Sequence, residues 1–366
     1  MSTRKDKFTS KDRYFMRLAI KLAENRTGFT GSNPSVGCVV VKNNQVVSFG
    51  ATNINGRPHA ETIALKNNKK NNKGATVYIT LEPCSHYGKT PPCTKELIKS
   101  KVKKVIYSVE DNDSRSFNKS KKILTSNKIV TKSGLLRNEV NKLYKKYNFI
   151  KKNNFPYITG KLASSSNLLI QRGNKYITNE HSRRVSHVLR SKNQGLLTSY
   201  KTINTDNPKL NCRIKGLEKF SPTIVVIDKN LQIKLNSYIV KNSNKNKVVI
   251  FHNSNNLLKI KKIKTKGVKL IYFKTENDNY FNLKKLFERI YQLGIHSILV
   301  ECGKLLTKKM LFKSLFNEFY FFRSNKMLNL RQKINVLDIK RNLDKKFKNK
   351  DFVNTYLDKD TLIHYY

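Results

Sequence analysis

Alternating strand-like and helix-like runs predict an α/β protein built as two layered domains. Three observations carry that expectation. The chain has 366 residues, more than one domain of ordinary size holds. Short apolar runs rich in Val and Ile recur between stretches whose apolar residues follow helical spacing. A lysine-rich polar stretch at 145–154, interrupted by Phe149 and Ile150, reads as a linker between two such series. The expected domains are therefore 1–150 and 151–366.

In the first domain Phe15, Met16, Ala19, Leu22 and Ala23 predict a helix over 13–25. The apolar runs 36–41 and 46–50 flank Lys42-Asn43-Asn44-Gln45 and predict a hairpin. His59 opens a helical run with Ala60, Ile63 and Ala64 at helical spacing, and the strand expected at 76–81 runs straight into Glu82-Pro83-Cys84. A helix at 94–100 and a strand at 105–109 complete a layered domain. The second series starts at Phe155-Pro156-Tyr157-Ile158, with strands expected at 195–198, 223–227, 248–251, 270–273 and 297–301 and helices at 180–190 and 283–293. Short buried strands separated by helices predict a mostly parallel sheet, in which nucleotides bind beyond the carboxyl ends of the strands. No internal repeat and no G-x-G-x-x-G fingerprint is present. From residue 324 onward the pattern is the least readable.

The charge balance is extreme: 74 Lys plus Arg against 24 Asp plus Glu, a formal net charge of +50. Such a balance ordinarily points to nucleic acid. Here the lysines and asparagines are dispersed, as at 67–73 and 241–247, with no basic arm. Arginine, the residue suited to forked phosphate and base contacts, is scarce beside lysine. The charge reads as a compositional drift that loads solvent-facing positions, and no specific nucleic-acid partner is expected. Of five cysteines, Cys38, Cys212 and Cys302 sit in or beside apolar runs, where a free thiol behaves as a small hydrophobe. No disulfide framework is implied. Residues 1–11 lack the apolar stretch of a signal peptide, and no run approaches a membrane span. A cytoplasmic protein without a membrane partner is expected.

His59-Ala60-Glu61, Pro83-Cys84 and Cys93 carry the chemistry. One imidazole and two thiolates make three zinc ligands, and a catalytic zinc site keeps its fourth position open for water. The metal brings that water's pKa toward neutrality. Glu61, two residues beyond His59, is placed to move protons without joining the metal, the arrangement of zinc deaminases. A closed structural site, with His86 or Cys38 as fourth ligand, is the competing reading. A helix start meeting a strand end at one metal favours the catalytic one.

Five segments together resemble one family, the bifunctional riboflavin-biosynthesis deaminase/reductases. Residues 33–39 (Asn-Pro-Ser-Val-Gly-Cys-Val) resemble its substrate loop. His59-Ala60-Glu61 and residues 80–93 (Thr-Leu-Glu-Pro-Cys-Ser-His-Tyr-Gly-Lys-Thr-Pro-Pro-Cys) resemble its zinc segments almost residue for residue. Lys161-Leu162-Ala163-Ser164-Ser165 and residues 202–210 (Thr-Ile-Asn-Thr-Asp-Asn-Pro-Lys-Leu) are similar to its reductase signatures. Nucleic-acid deaminases usually carry Pro-Cys-x-x-Cys, whereas eight residues separate Cys84 from Cys93. The longer loop favours the riboflavin enzyme.

The resemblance implies a cytidine-deaminase-like zinc domain followed by a dihydrofolate-reductase-like domain using NADPH. The first would remove ammonia from a phosphoribosylamino diaminopyrimidinone, with His59, Cys84 and Cys93 on zinc, Glu61 catalytic and Asn33 orienting the pyrimidine edge. His86 is then a loop residue, and Lys89 is a candidate for the phosphate or a solvated lysine. In the second, Ala163, Tyr176, Thr202, Asp206 and Gly303 would line the NADPH site, and Asn174, Arg190, Leu210, Arg213 and Glu301 would hold substrate. Arg190 and Arg213 suit a terminal phosphate because guanidinium grips oxyanions in a fork. Asn167-Leu168 stand where the family usually has Asp-Gly, Tyr176 replaces a usual Trp and Asn207 a usual second Asp. Losing that Gly is expected to alter the backbone beside the cofactor, which leaves a deaminase with an inactive reductase-like domain as one alternative. A basic tRNA or nucleic-acid zinc deaminase and a zinc-stabilised binding protein are the others. A homo-oligomer acting on a small phosphoribosyl pyrimidine is the expected form.

Overall fold

The computed structural model describes residues 8–113, 115–170, 176–277, 279–329 and 334–366. The chain divides into two compact units, Met1–Asn153 and Asn154–Tyr366. In the first, α1 (Ser10–Glu24) is followed by a hairpin of β1 (Gly37–Lys42) and β2 (Gln45–Ala51), then α2 (Ala60–Asn67), β3 (Thr76–Leu81), α3 (Cys93–Lys99), β4 (Lys104–Val109), α4 (Lys119–Ser126), β5 (Val130–Ser133) and α5 (Arg137–Asn153). The sheet runs β2-β1-β3-β4-β5. β1 is antiparallel to both neighbours, whereas β3, β4 and β5 are parallel.

Two glycines set the layers. Gly37 pairs with Ala51, and Cys38 with Gly50, so Gly37 and Gly50 open opposite faces of the hairpin. A Cβ on Gly37 would sit 1.9 Å from the Ala19 carbonyl oxygen of α1, and one on Gly50 would sit 2.4 Å from the Ala60 oxygen of α2. Helices α1 and α2 therefore press on opposite faces, α2 carrying His59 and Glu61 at its start.

The stretch expected as a linker is instead the second half of α5. Val140 and Tyr144 are buried, and Leu143 and Tyr147 pack against the same core. Lysine is a good helix former, so a lysine-rich composition marked a solvated helix face, not a break in structure.

The second unit comprises β6 (Tyr157–Ser164), β7 (Leu169–Ile170), α6 (Glu180–Ser191), β8 (Gly195–Ser199), α7 (Tyr200–Asp206), β9 (Thr223–Ile227), α8 (Tyr238–Lys241), β10 (Val248–His252), α9 (Leu257–Lys264), β11 (Lys269–Tyr272), α10 (Leu283–Gln292), β12 (Ser297–Val300), α11 (Lys304–Phe312) and β13 (Glu318–Arg323). Then come β14 (Ile334–Asn335), α12 (Leu337–Lys346), β15 (Lys350–Phe352) and β16 (Thr361–Tyr365). Its nine-stranded sheet runs β11-β10-β9-β8-β12-β6-β13-β16-β15. The strands from β11 to β13 are all parallel, and β16 and β15 close the edge antiparallel.

Both faces of this sheet's central strands are buried, which explains their unbroken apolar runs. Val225, Val249, Phe251, Ile298 and Val300 face one core with α10, α11 and α12. Ile224, Val226, Val248, Ile250 and Leu299 face a second core with α8 and α9. Among the described residues no helix is long and apolar enough to cross a membrane.

Candidate metal centre and reductase cleft

In the first unit the carboxyl end of β3 and the amino ends of α2 and α3 converge. His59 is the N-cap residue of α2, Cys93 is the first residue of α3, and Cys84 lies on the loop between β3 and α3. Their ligand atoms all lie within 4.8 Å of one another. His59 Nδ1 is 3.6 Å from Cys84 Sγ and 3.4 Å from Cys93 Sγ. A tetrahedral zinc with Zn–S of about 2.3 Å and Zn–N of about 2.0 Å requires S···N edges of about 3.5 Å. The donor set fits zinc in both chemistry and spacing.

The electrostatics of the trio suit a cation. The Cys93 thiol, the His59 ring and the Cys93 N–H at 3.2 Å outweigh burial and hold the Cys84 thiol down at about 4. The Cys84 sulfur and burial push Cys93 up, and contact with Cys84 raises His59. Glu61, in the first turn of α2 and only 3 % exposed, is pushed up to about 7 by burial. A carboxyl balanced near neutrality can take and return a proton.

Asn33 stands in a turn ahead of β1: its N–H donates to the Thr30 carbonyl, and Thr30 Oγ1 donates to the Asn33 carbonyl. Asn33 Nδ2 donates to the Gly56 carbonyl at 3.3 Å. Gly56 has a φ of 89°, and a Cβ there would lie 2.0 Å from Asn33 Nδ2, so only glycine admits this contact. The turn and the aimed amide are one arrangement. His86 lies outside the ligand cluster, its Nδ1 2.9 Å from Ser116 Oγ. Cys38, Cys212 and Cys302 are buried free thiols, as their apolar settings implied. Sequence reasoning missed Glu82, which is buried two residues before Cys84. It also missed Tyr144, whose hydroxyl meets Thr80 Oγ1 at 2.6 Å and donates to the Ser35 carbonyl. The signal available was a carboxylate placed directly after an apolar strand.

In the second unit Ala163, Thr202, Glu301 and Gly303 gather at or beyond the carboxyl ends of the adjacent strands β6, β8 and β12. Thr202 and Asp206 lie on α7. Gly303 is the N-cap of α11, no side chain caps that end, and a Cβ on it would meet nothing within 4 Å. Open helix N–H groups behind an approachable glycine fit the phosphates of a dinucleotide. Tyr176 is exposed, with the Arg183 guanidinium 4.4 Å above its ring. Asn174 lies outside the described residues.

Arg190 and Glu301 meet each other. Arg190 Nε and Nη2 donate to the two Glu301 carboxylate oxygens at 2.7 and 2.8 Å, and Arg190 Nη1 donates to the Asn211 carbonyl. Burial opposes ionisation of Glu301, but the Arg190 charge and its hydrogen bonds prevail and hold the carboxyl at about 2. Lys161, which sequence reasoning gave no role, is half-buried beside this pair; desolvation lowers its pKa and outweighs the Glu301 charge. Leu210 is buried. Arg213 is exposed, donates to Asn211 Oδ1, and lines a cavity of about 520 Å³ together with Lys219, Lys245 and Lys247.

At Asn167-Leu168 the chain makes a left-handed turn without a glycine. Leu168 takes a φ of 58°, the left-handed conformation a glycine adopts freely. Asn167 holds the turn: its Oδ1 accepts from Ser165 Oγ and the Leu328 N–H, and its Nδ2 donates to the Leu328 carbonyl. Asn207 also serves, capping α7 in the left-handed region while its Oδ1 accepts from the Tyr238 N–H at 2.7 Å.

Residues 9–109 match the cytidine and deoxycytidylate deaminase zinc-binding region, and residues 162–328 match the RibD C-terminal domain. The riboflavin biosynthesis protein RibD of Aquifex aeolicus is 32 % identical over 90 % of this chain and 91 % of its own length. The chain belongs to the RibD family. These are bifunctional enzymes of riboflavin biosynthesis, pairing a zinc-dependent deaminase domain with an NADPH-dependent reductase domain. RibD of Bacillus amyloliquefaciens is also 32 % identical, covering 85 % of this chain and 84 % of its own. Among solved structures, Acinetobacter baumannii RibD superposes with a TM-score of 0.80 at 26 % identity, covering 97 % of this chain and 98 % of that one. A Thermotoga maritima diaminohydroxyphosphoribosylaminopyrimidine deaminase/5-amino-6-(5-phosphoribosylamino)uracil reductase gives 0.79 at the same identity and coverage.

Proposed function

We propose that this RibD-family chain deaminates diaminohydroxyphosphoribosylaminopyrimidine to 5-amino-6-(5-phosphoribosylamino)uracil and then reduces the ribosyl group to ribityl. The observation that carries the reading is the trio His59, Cys84 and Cys93 at tetrahedral zinc spacing beside a buried Glu61. When bound, zinc supplies a water made acidic enough to attack at neutral pH. With zinc held by His59, Cys84 and Cys93, Glu61 would take a proton from the attacking water and return it to the exocyclic nitrogen, the C–O bond forming as the C–N bond breaks and ammonia leaves. Asn33, held over Gly56, orients the pyrimidine edge through an amide that both donates and accepts.

In the second unit Ala163, Tyr176, Thr202, Asp206 and Gly303 would hold NADPH, which would supply the hydride that reduces the ribosyl group. Glu301, oriented by Arg190, and Leu210 line the substrate side, and the exposed Arg213 is the better placed guanidinium for the terminal phosphate. The left-handed conformation of Leu168, one that a glycine adopts freely, supports a working reductase. The domains act at 1–150 and 151–366, in the cytoplasm, in a homo-oligomer without a specific nucleic-acid partner. The test is to supply the phosphoribosyl diaminopyrimidinone with and without NADPH and identify the products. Ammonia release alone would leave only the deaminase; no release would overturn the reading.

A further inference from the structure

The three zinc ligands are not equally well anchored. His59 and Cys93 begin helices, but Cys84 sits on a loop and needs support from outside its own segment. One side of that support is α3, whose Cys93 and Thr94 N–H groups reach the Cys84 sulfur and carbonyl at 3.2 Å each. The other side is the segment between β4 and α4, and Glu82 is what ties it down.

Glu82 is 2 % exposed. A buried carboxylate is costly unless its lone pairs are filled, and here four donors fill them. Oε2 accepts from the Asp111 and Asn118 N–H groups at 3.2 and 3.1 Å. Oε1 accepts from the Ser120 N–H at 3.2 Å and the Ser120 hydroxyl at 2.8 Å. The same segment returns on the far side of Cys84: Ser116 Oγ accepts from the Ser85 N–H at 3.5 Å and lies 2.9 Å from His86 Nδ1. Cys84 is thus clasped at residue 82 and at residues 85 and 86 by one piece of chain.

We propose that Glu82 is a positioning residue for Cys84, setting the thiolate's place at the metal by ordering the segment from Asp111 to Ser120 around it. The inference rests on reading His59, Cys84 and Cys93 as the zinc ligands. Partners one step removed from a metal commonly change its affinity or activity by about 10–100-fold. Glu82→Gln replaces one accepting oxygen with an amide that faces donors, and Ser120→Ala deletes only the hydroxyl donor.

The full-length chain and both variants are titrated with zinc against a chromogenic chelator, and the cobalt-substituted proteins are examined by absorption. Glu82→Gln should bind zinc about 10–100-fold more weakly, with a displaced thiolate-to-cobalt band and a lower kcat at nearly unchanged KM. Ser120→Ala should move in the same direction by about 2–10-fold, the span of one hydrogen bond. A folded Glu82→Gln chain with wild-type zinc affinity and cobalt spectrum would overturn the proposal. If that variant does not fold, wild-type affinity in Ser120→Ala would do so. A wild-type chain that binds no zinc would overturn both this proposal and the metal-centre reading beneath it.

Discussion

The zinc centre of the first unit and the cleft of the second differ in how much of each is made by side chains. The centre needs one imidazole, two thiolates and a carboxylate, and substitution of any one changes the chemistry. The cleft relies on backbone at helix ends and turns: Leu168 stands in the left-handed region, and Asn207 caps α7 there while its Oδ1 accepts from the Tyr238 N–H. A metal constrains residue type. A cofactor cradle constrains conformation.

The sharpest way to break this comparison is Glu61→Gln. The amide cannot relay protons, so deamination should fall by about 10²–10⁴ while zinc content and NADPH-dependent reduction of the deaminated intermediate stay at wild-type levels. Deaminase activity equal to wild type would remove Glu61 from the mechanism. Arg190→Ala comes next. It strands Glu301 in a site where both side chains are only 12–13 % exposed, which costs about 3–5 kcal/mol. Hydrogen exchange at the β12 amides reads this loss locally, and unchanged protection would mean the pair is dispensable.

A pH titration sharpens the same point. Glu301 is held at about 2 in the folded unit, below its unfolded value near 4.3. Its contribution, roughly 3 kcal/mol, is complete above the unfolded value and is lost as pH falls through the folded one. The second unit should therefore weaken between pH 4.5 and 2 by an increment that Glu301→Gln abolishes. A wild type and variant that lose stability in parallel over that window would contradict this linkage. The smallest effect concerns Leu168. Leu168→Ala and Leu168→Gly both remove the side chain, but only glycine also relieves the left-handed backbone. The glycine variant should be the more stable by about 1 kcal/mol in urea melts, and equal midpoints would deny any strain there.

Much of this was legible beforehand. The strand at Thr223–Ile227 was a short apolar run, and the helix from Leu283 repeated Leu283, Leu286, Phe287 and Ile290 at helical spacing, because an element packed against a core must present apolar residues to it. The region past residue 324 was not legible: β14 and β15 have two and three residues, and β15 is wholly exposed. Edge strands this short are held by the neighbours they pair with, so they carry no hydrophobic pattern of their own.

From sequence alone came the ligand trio, the shuttle carboxylate and the layered α/β class, since metal chemistry and burial act on residue type and spacing. Tertiary structure decided what depends on partners far along the chain. It brought Ser120 to Glu82, Glu301 to Arg190, Leu328 to Asn167 and Tyr238 to Asn207. Each is a polar group shielded or capped by a residue dozens of positions away, and only the folded chain determines which donor meets which acceptor.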